Sequence, residues 1–181
     1  MISTSDRRST TPVRVLFVTG APGAGKSTVA QALLDLGTDA LVFDADWLLE
    51  STSQLVGRPM ADADDLWPEY DRLWAAILDM VVQNRRAVVL LTPMEPRSLP
   101  PVPWPERVSW CLLDCDDETR TWRLQARGWS TSEISEALVD AQTLRDQVGF
   151  VVDTSGTDSR EAAARVAAWI KAQVRHGPNT T

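Results

Sequence analysis

The sequence predicts an α/β fold, a five-stranded parallel sheet with helices on both faces. Three observations carry this expectation. Five short apolar runs rich in Val, Leu or Phe recur along the chain without clean alternation, as strands covered on both faces do. Helical patterns lie between them, and strand alternating with helix calls for parallel strands joined by crossovers. At 181 residues, with 44% apolar and 24% charged residues, there is material for one such domain and its core, and hardly for two.

Taken in order, VRVLFVT (13–19) is the first strand. The pattern GKSTVAQALLDLG follows as a helix that stops at Gly37. ALVFD (40–44) is the second strand. EYDRLWAAILDMVVQN (69–84) carries Tyr70, Leu73, Trp74, Ile77, Leu78 and Val81 at helical spacing. AVVLLT (87–92) is the third strand, and the six prolines of 93–106 make the next segment a loop. RVSWCLLD (107–114) is the fourth strand. DETRTWRLQARG (117–128) is a helix ending at Gly128, with arginines in its later turns. STSEISEALVDAQTLRDQ (130–147) opens with a capping box, Ser130 with Glu133. GFVVD (149–153) is the fifth strand, and DSREAAARVAAWIKAQV (158–174) opens with a second box, Asp158 with Glu161. Residues 13–175 are expected to form one domain, flanked by disordered tails at 1–12 and 176–181.

Composition narrows the function. The net charge of −7 argues against nucleic acid or an anionic membrane as the main partner. The apolar run 13–18 is too short for a signal segment, and no stretch approaches a membrane span. Cys111 and Cys115 lack metal-ligand spacing and read as reduced thiols, which points to the cytoplasm. The only histidine is His176, so the base of any reaction here is a carboxylate, a lysine or water.

The most specific signal is GAPGAGKST, made of Gly20, Ala21, Pro22, Gly23, Ala24, Gly25, Lys26, Ser27 and Thr28. It satisfies the P-loop pattern G-x-x-x-x-G-K-[ST], between a strand and a helix. Its glycines let backbone N–H groups turn inward around an anion, and the following helix aims its positive end at the same place. Lys26 is expected to reach the β- and γ-phosphates of a nucleotide and the Ser27 hydroxyl to ligate Mg²⁺.

The second strand ends in FDADWLLE, which puts Asp44 and Asp46 at the edge of a parallel sheet where ligands bind. Two carboxylates beside a triphosphate can divide the work, one near the metal and one taking the proton of an incoming hydroxyl. Alternatively, Asp44 caps the next helix and Asp46 is a first-turn carboxylate favoured by the helix dipole.

A chain with this loop and F-D-x-D after its second strand resembles the small-molecule P-loop kinases of the shikimate and gluconate kinase group. FDADWLLE is also similar to the chloramphenicol phosphotransferases. The resemblance implies a P-loop kinase fold with strand order 2-3-1-4-5 and a small lid, with ATP and Mg²⁺ in the loop. It implies Asp46 as the base that binds the acceptor hydroxyl, and Asp44 as the carboxylate nearer the metal. The spacing R-x-x-x-R in TRTWRLQARGW implies that Arg123 packs on adenine and Arg127 reaches the moving phosphate, with Arg120 a weaker candidate. A solvated basic face pairing with Asp116, Asp117 and Glu118 is the competing reading for Arg120. The turn after the fifth strand, Asp153, Thr154 and Ser155, is implied to line the adenine pocket. Two departures stand out. Thr92 ends the third strand without an acid, and TPMEPR replaces the glycine run of shikimate kinases, which speaks against shikimate as the acceptor.

The acceptor of this fold is expected between the second and third strands. Residues 47–84 hold seven acids, Glu50, Asp62, Asp64, Asp65, Glu69, Asp71 and Asp79, against Arg58 and Arg72. A phosphorylated acceptor needs several arginines, so an uncharged or cationic small molecule fits better. Trp47 and Arg58 are the candidate acceptor contacts. Trp67 could also stack on a ligand, whereas Trp74 sits in the helical stripe and reads as core, and the other five tryptophans as packing. The expected activity is ATP-dependent phosphorylation of an alcohol. A nucleoside monophosphate kinase and a nucleotide-sensing regulator with little turnover are the alternatives.

Overall fold

The computed structural model describes residues 13–176. The sheet contains β1 (Val15–Thr19), β2 (Leu41–Asp44), β3 (Val88–Thr92), β4 (Val108–Asp114) and β5 (Val151–Asp153). Their order is β2-β3-β1-β4-β5, all parallel, as expected. Every strand ends at the same edge, and that edge carries Thr19, Asp44, Thr92, Asp114 and Asp153.

The helices are α1 (Lys26–Leu36), α2 (Leu49–Val56), α3 (Trp67–Gln83), α4 (Asp117–Gln125), α5 (Thr131–Arg145) and α6 (Ser159–His176). Alternation along the strands divides the core in two. Leu16, Val18, Val89 and Leu91 face α1 and α6, where they meet Leu33, Val166 and Ile170. Val15, Phe17, Val88 and Leu90 face α3, where they meet Tyr70, Trp74, Leu78 and Val82. Trp74 is core, as its place in the helical stripe predicts. Cys111 and Cys115 are buried free thiols, and burial pushes Cys111 up to about 12.

The structure departs from the sequence reading in detail. The helix α2 has no counterpart among the expected elements; none of its residues is fully buried, and Leu49 alone packs against the core on the α3 side. The expected helix 117–128 stops at Gln125, and residues 126–130 turn the chain into α5. The Ser130 box forms in full. The Asp158 box forms only by half: Asp158 accepts from the Glu161 amide at 2.7 Å, but Glu161 turns to Arg165 instead of reaching back. His176 closes α6, and the rest of both expected tails, 1–12 and 177–181, lies outside the described residues. Among the described residues no helix is long and apolar enough to cross a membrane.

Candidate active site

The glycine loop joins β1 to α1, and four of its carbonyls are taken up by side-chain donors. Lys26 Nζ donates to Gly20 O at 2.7 Å. The Arg120 guanidinium donates to Pro22 O at 2.5 Å, and Arg123 to Gly23 O at 3.0 Å. Thr154 Oγ1 stands 3.1 Å from Ala24 O. With those carbonyls engaged, the N–H groups of the loop are the backbone groups available to an anion. Two glycines are required by geometry. Gly25 sits at φ 90°, and a Cβ on Gly20 would meet Leu113 O at 2.6 Å.

Three clefts run in a row along the strand ends. The middle one, about 450 Å³, holds Lys26, Ser27, Thr28 and Asp46, with Trp67, Arg127 and Trp129 in its walls. On one side a cleft of about 260 Å³ lies among Ala24, Arg123, Arg127, Thr154 and Thr157. On the other, a second cleft of about 260 Å³ lies among Asp46, Trp67, Tyr70, Asp71, Met94 and Glu95. Arg127 is shared by the first pair and Asp46 by the second, so the three form one trough.

The two aspartates differ in environment. Asp44 is buried, and its Oδ1 accepts from the Asp46 amide at 3.0 Å, the capping arrangement that FDAD allowed. Its Oδ2 is buried without a hydrogen-bond partner. A buried carboxylate oxygen with no donor is costly, and a hydrated cation beside the loop would satisfy it. Asp44 itself lines none of the three clefts, but the Ser27 hydroxyl lines the middle one, and the two together fit Mg²⁺. Among the described residues no cluster of three or more His, Cys, Asp and Glu could hold a metal unaided, so phosphate oxygens would complete the site.

Asp46 faces the trough. Burial pushes its carboxyl above the usual range, Asp44 pushes the same way, and Lys26 opposes. Burial lowers the Lys26 amine to about 8, against the pull of Asp46 and Asp44. A carboxylate made more basic, close to a cation and open to two clefts, can accept a proton from a bound hydroxyl.

The arginines separate by role. Arg123 donates to Gly23 O, to Thr154 Oγ1 at 3.1 Å and to Thr154 O at 2.7 Å, tying the loop to the turn after β5 while lining the outer cleft. Arg127 lies in the turn after α4 and lines both the outer and the middle cleft. Arg120 is not on a solvated face. It is wholly buried, held by Pro22 O and by Asp114 at 2.6 Å, and Arg145 clasps the other side of Asp114 at 2.6 Å.

The remaining expected residues are dispersed. Thr154 lines the outer cleft, whereas Asp153 accepts from the Ser155 amide and Ser155 Oγ accepts from the Asp116 amide. Trp47 is 48% exposed and lines none of the three clefts. Arg58 pairs with Asp65 at 2.6 Å and lines none either. Of the seven acids in 47–84, only Asp71 lines any of the three clefts. Sequence reasoning missed Glu95, Asp114 and Trp129. Glu95 and Asp114 could have been found by their place at the strand ends, where this fold gathers its chemistry. No local pattern marks Trp129.

Comparisons with known proteins agree with this architecture. A sugar kinase from Janibacter sp. HTCC2649 superposes with a TM-score of 0.62 at 24% identity, covering 88% of this chain and 95% of its own. The shikimate kinase of Acinetobacter baumannii, in complex with shikimate, gives a TM-score of 0.62 at 15% identity, covering 90% and 96%. The tunicamycin resistance protein of Deinococcus radiodurans gives 0.64 at 16% identity, covering 87% and 95%. At these identities the likeness is one of fold, that of the P-loop kinases. No curated protein matches the sequence. The family model described as AAA domain matches residues 16–145, well over half of the sequence, and the chain therefore belongs to the AAA-domain family.

Proposed function

We propose that this protein is an ATP-dependent phosphotransferase that moves the γ-phosphoryl group to a hydroxyl of an unphosphorylated small molecule. One observation carries the reading. Asp46 stands where the loop cleft meets a second cleft that no Lys or Arg among the described residues lines, Asp46 being common to both. The outer cleft beside Arg123 and Thr154 would take the adenine.

Lys26 and the loop amides bind the β- and γ-phosphates. Asp46 takes the proton of the acceptor hydroxyl as that oxygen bonds to the γ-phosphorus and the bond to the bridging oxygen breaks, leaving ADP. Arg127 and Lys26 offset the negative charge on the moving group. Mg²⁺, when bound, neutralises phosphate oxygens, and Ser27 with Asp44 one water away would hold it.

The test is ADP release from ATP across a matched panel, with AMP, CMP, GMP and UMP set against nucleosides, sugars, aminoglycosides and phenicols. Acceleration by an unphosphorylated alcohol is expected. Turnover of a monophosphate with the alcohols inert would make the protein a nucleotide kinase instead. ATP consumption indifferent to every compound would point to a nucleotide-sensing regulator.

A further inference from the structure

The acceptor cleft is a site on grounds independent of its charge, because it opens onto the loop cleft through Asp46, Trp67 and Pro93. Its charged lining is nevertheless of one sign. Asp46 closes it toward the loop, Asp71 of α3 and Glu95 stand in its other walls, and neither Lys nor Arg lines it. The arginines of the neighbouring segment are engaged elsewhere, Arg58 with Asp65 and Arg72 with Glu69, each at 2.6 Å.

Glu95 is fixed in place. Gln147 Nε2 donates to its Oε2 at 2.9 Å, anchoring it beside the C-terminal end of α5 and leaving Oε1 without a partner among the described residues. Asp71 has no hydrogen-bond or ion-pair partner among the described residues, and burial pushes its carboxyl above the usual range. Asp140 of α5 is pushed up as well, by burial and then by Glu95, so the negative field extends behind this wall. Asp71 is partly desolvated and neither it nor Glu95 has a cationic partner among the described residues, so a positive ligand between them relieves that desolvation cost. Trp67, edge-on to Tyr70 with ring centroids 5.7 Å apart, adds an aromatic wall that favours a cation further.

We propose that the acceptor is a small alcohol bearing an ammonium group, held with its amine between Asp71 and Glu95 and its hydroxyl at Asp46. Only the fate of the hydroxyl rests on the phosphotransferase reading; the amine site stands or falls by itself. The cleft of about 260 Å³ lies below the roughly 300–1,000 Å³ of drug-sized pockets, so a single-ring or acyclic amino alcohol suits it better than a multi-ring compound.

The test is calorimetry and ligand-observed NMR on the full chain with adenylyl imidodiphosphate and Mg²⁺ present. The probes are matched sets: D-glucosamine, D-glucose and N-acetyl-D-glucosamine, and 2-aminocyclohexanol, cyclohexane-1,2-diol and 2-hydroxycyclohexanecarboxylate. The ammonium member of each set is expected to bind about tenfold or more tightly than its neutral partner, with a preference that shrinks as salt rises. The double variant Asp71→Asn, Glu95→Gln should erase the preference and leave affinity for the nucleotide analogue unchanged. Ammonium members that bind no better than neutral or anionic ones, or a preference that survives in the double variant, would overturn the proposal. ADP release with ATP separates the two readings. An amine that binds selectively but is never phosphorylated leaves this site standing and removes the phosphotransferase, and phosphorylation of neutral alcohols without preference does the reverse.

Discussion

Asp46 and Asp44 show how two residues of one type, with one residue between them, come to differ. Asp44 is buried with one oxygen spent on the Asp46 amide and the other unpartnered, whereas Asp46 opens onto two clefts with its carboxyl pushed up by burial. Asp46→Asn keeps the shape and cannot take a proton, so the rate should fall by about 10²–10⁴ with ATP still bound, the span of a general base. Asp44→Asn should instead raise the Mg²⁺ concentration needed for half-maximal rate. A silent Asp46→Asn beside a dead Asp44→Asn would exchange the two roles. The pH profile carries a second prediction. Asp46 works deprotonated, so kcat/KM should fall on an acid limb above the ordinary aspartate range of about 4. Lys26 works protonated, so kcat/KM should fall again as pH rises through about 8. In kcat the basic limb should move to higher pH, since bound phosphates favour the charged amine. The sequence showed that Asp44 and Asp46 belong together, because motif and strand end coincide. It could not show which carboxylate is buried, since that depends on packing beneath the strand. The same holds for Trp47: adjacency to Asp46 marked it for the cleft, but the turn Ala45–Leu48 leaves it 48% exposed and away from every lining.

At the scale of elements, β4 and α4 act as the frame of the loop. Asp114 ends β4 between Arg120 and Arg145, and Arg120 passes the restraint to Pro22 O. A wholly buried guanidinium tolerates this place only because its partner is present. Asp114→Ala should therefore cost about 3–5 kcal/mol of stability in denaturant unfolding. It should also weaken ATP affinity through a loosened loop. A normal unfolding midpoint would show that the pair is not structural. The turn after α4 has a different task. Arg127 lines the cleft at the loop, and its guanidinium makes no hydrogen bond among the described residues, unlike that of Arg123. Arg127→Ala should lower kcat by roughly 10²-fold or more, with a smaller change in ATP affinity. Loss of ATP binding at an unchanged maximal rate would reverse that assignment. The R-x-x-x-R spacing was visible in the sequence, and so was the helix that carries Arg123, but not that Arg127 falls in the turn beyond its end. The burial of Arg120 was not, because a helix so rich in charge reads as solvated until β4 supplies Asp114 from another part of the chain.

The molecule as a whole was the most legible level. Five apolar runs became five parallel strands, because burial leaves a signature that needs no partner information, whereas their order was implied by the family resemblance. The loop was equally plain, since its glycines answer to local backbone geometry. The cleft on the far side of Asp46 was the least legible, because it is assembled from the turn after β2, the end of β3, the start of α3 and the proline-rich loop, segments far apart in the sequence. Segment 47–84 predicted a negative field, but the carboxylates that line the cleft are Asp46, Asp71 and Glu95, two of them outside that segment. The central claim is that this trough joins a phosphate donor to an unphosphorylated alcohol across Asp46. The most direct measurement is ³¹P NMR of the full chain with ATP, Mg²⁺ and a responding alcohol, following the γ-phosphorus itself. The account predicts a new phosphate monoester on the acceptor oxygen, formed in step with ADP and lost in Asp46→Asn. Inorganic phosphate as the sole product, or a β-phosphate added to a nucleoside monophosphate while every alcohol stays unmodified, would contradict it.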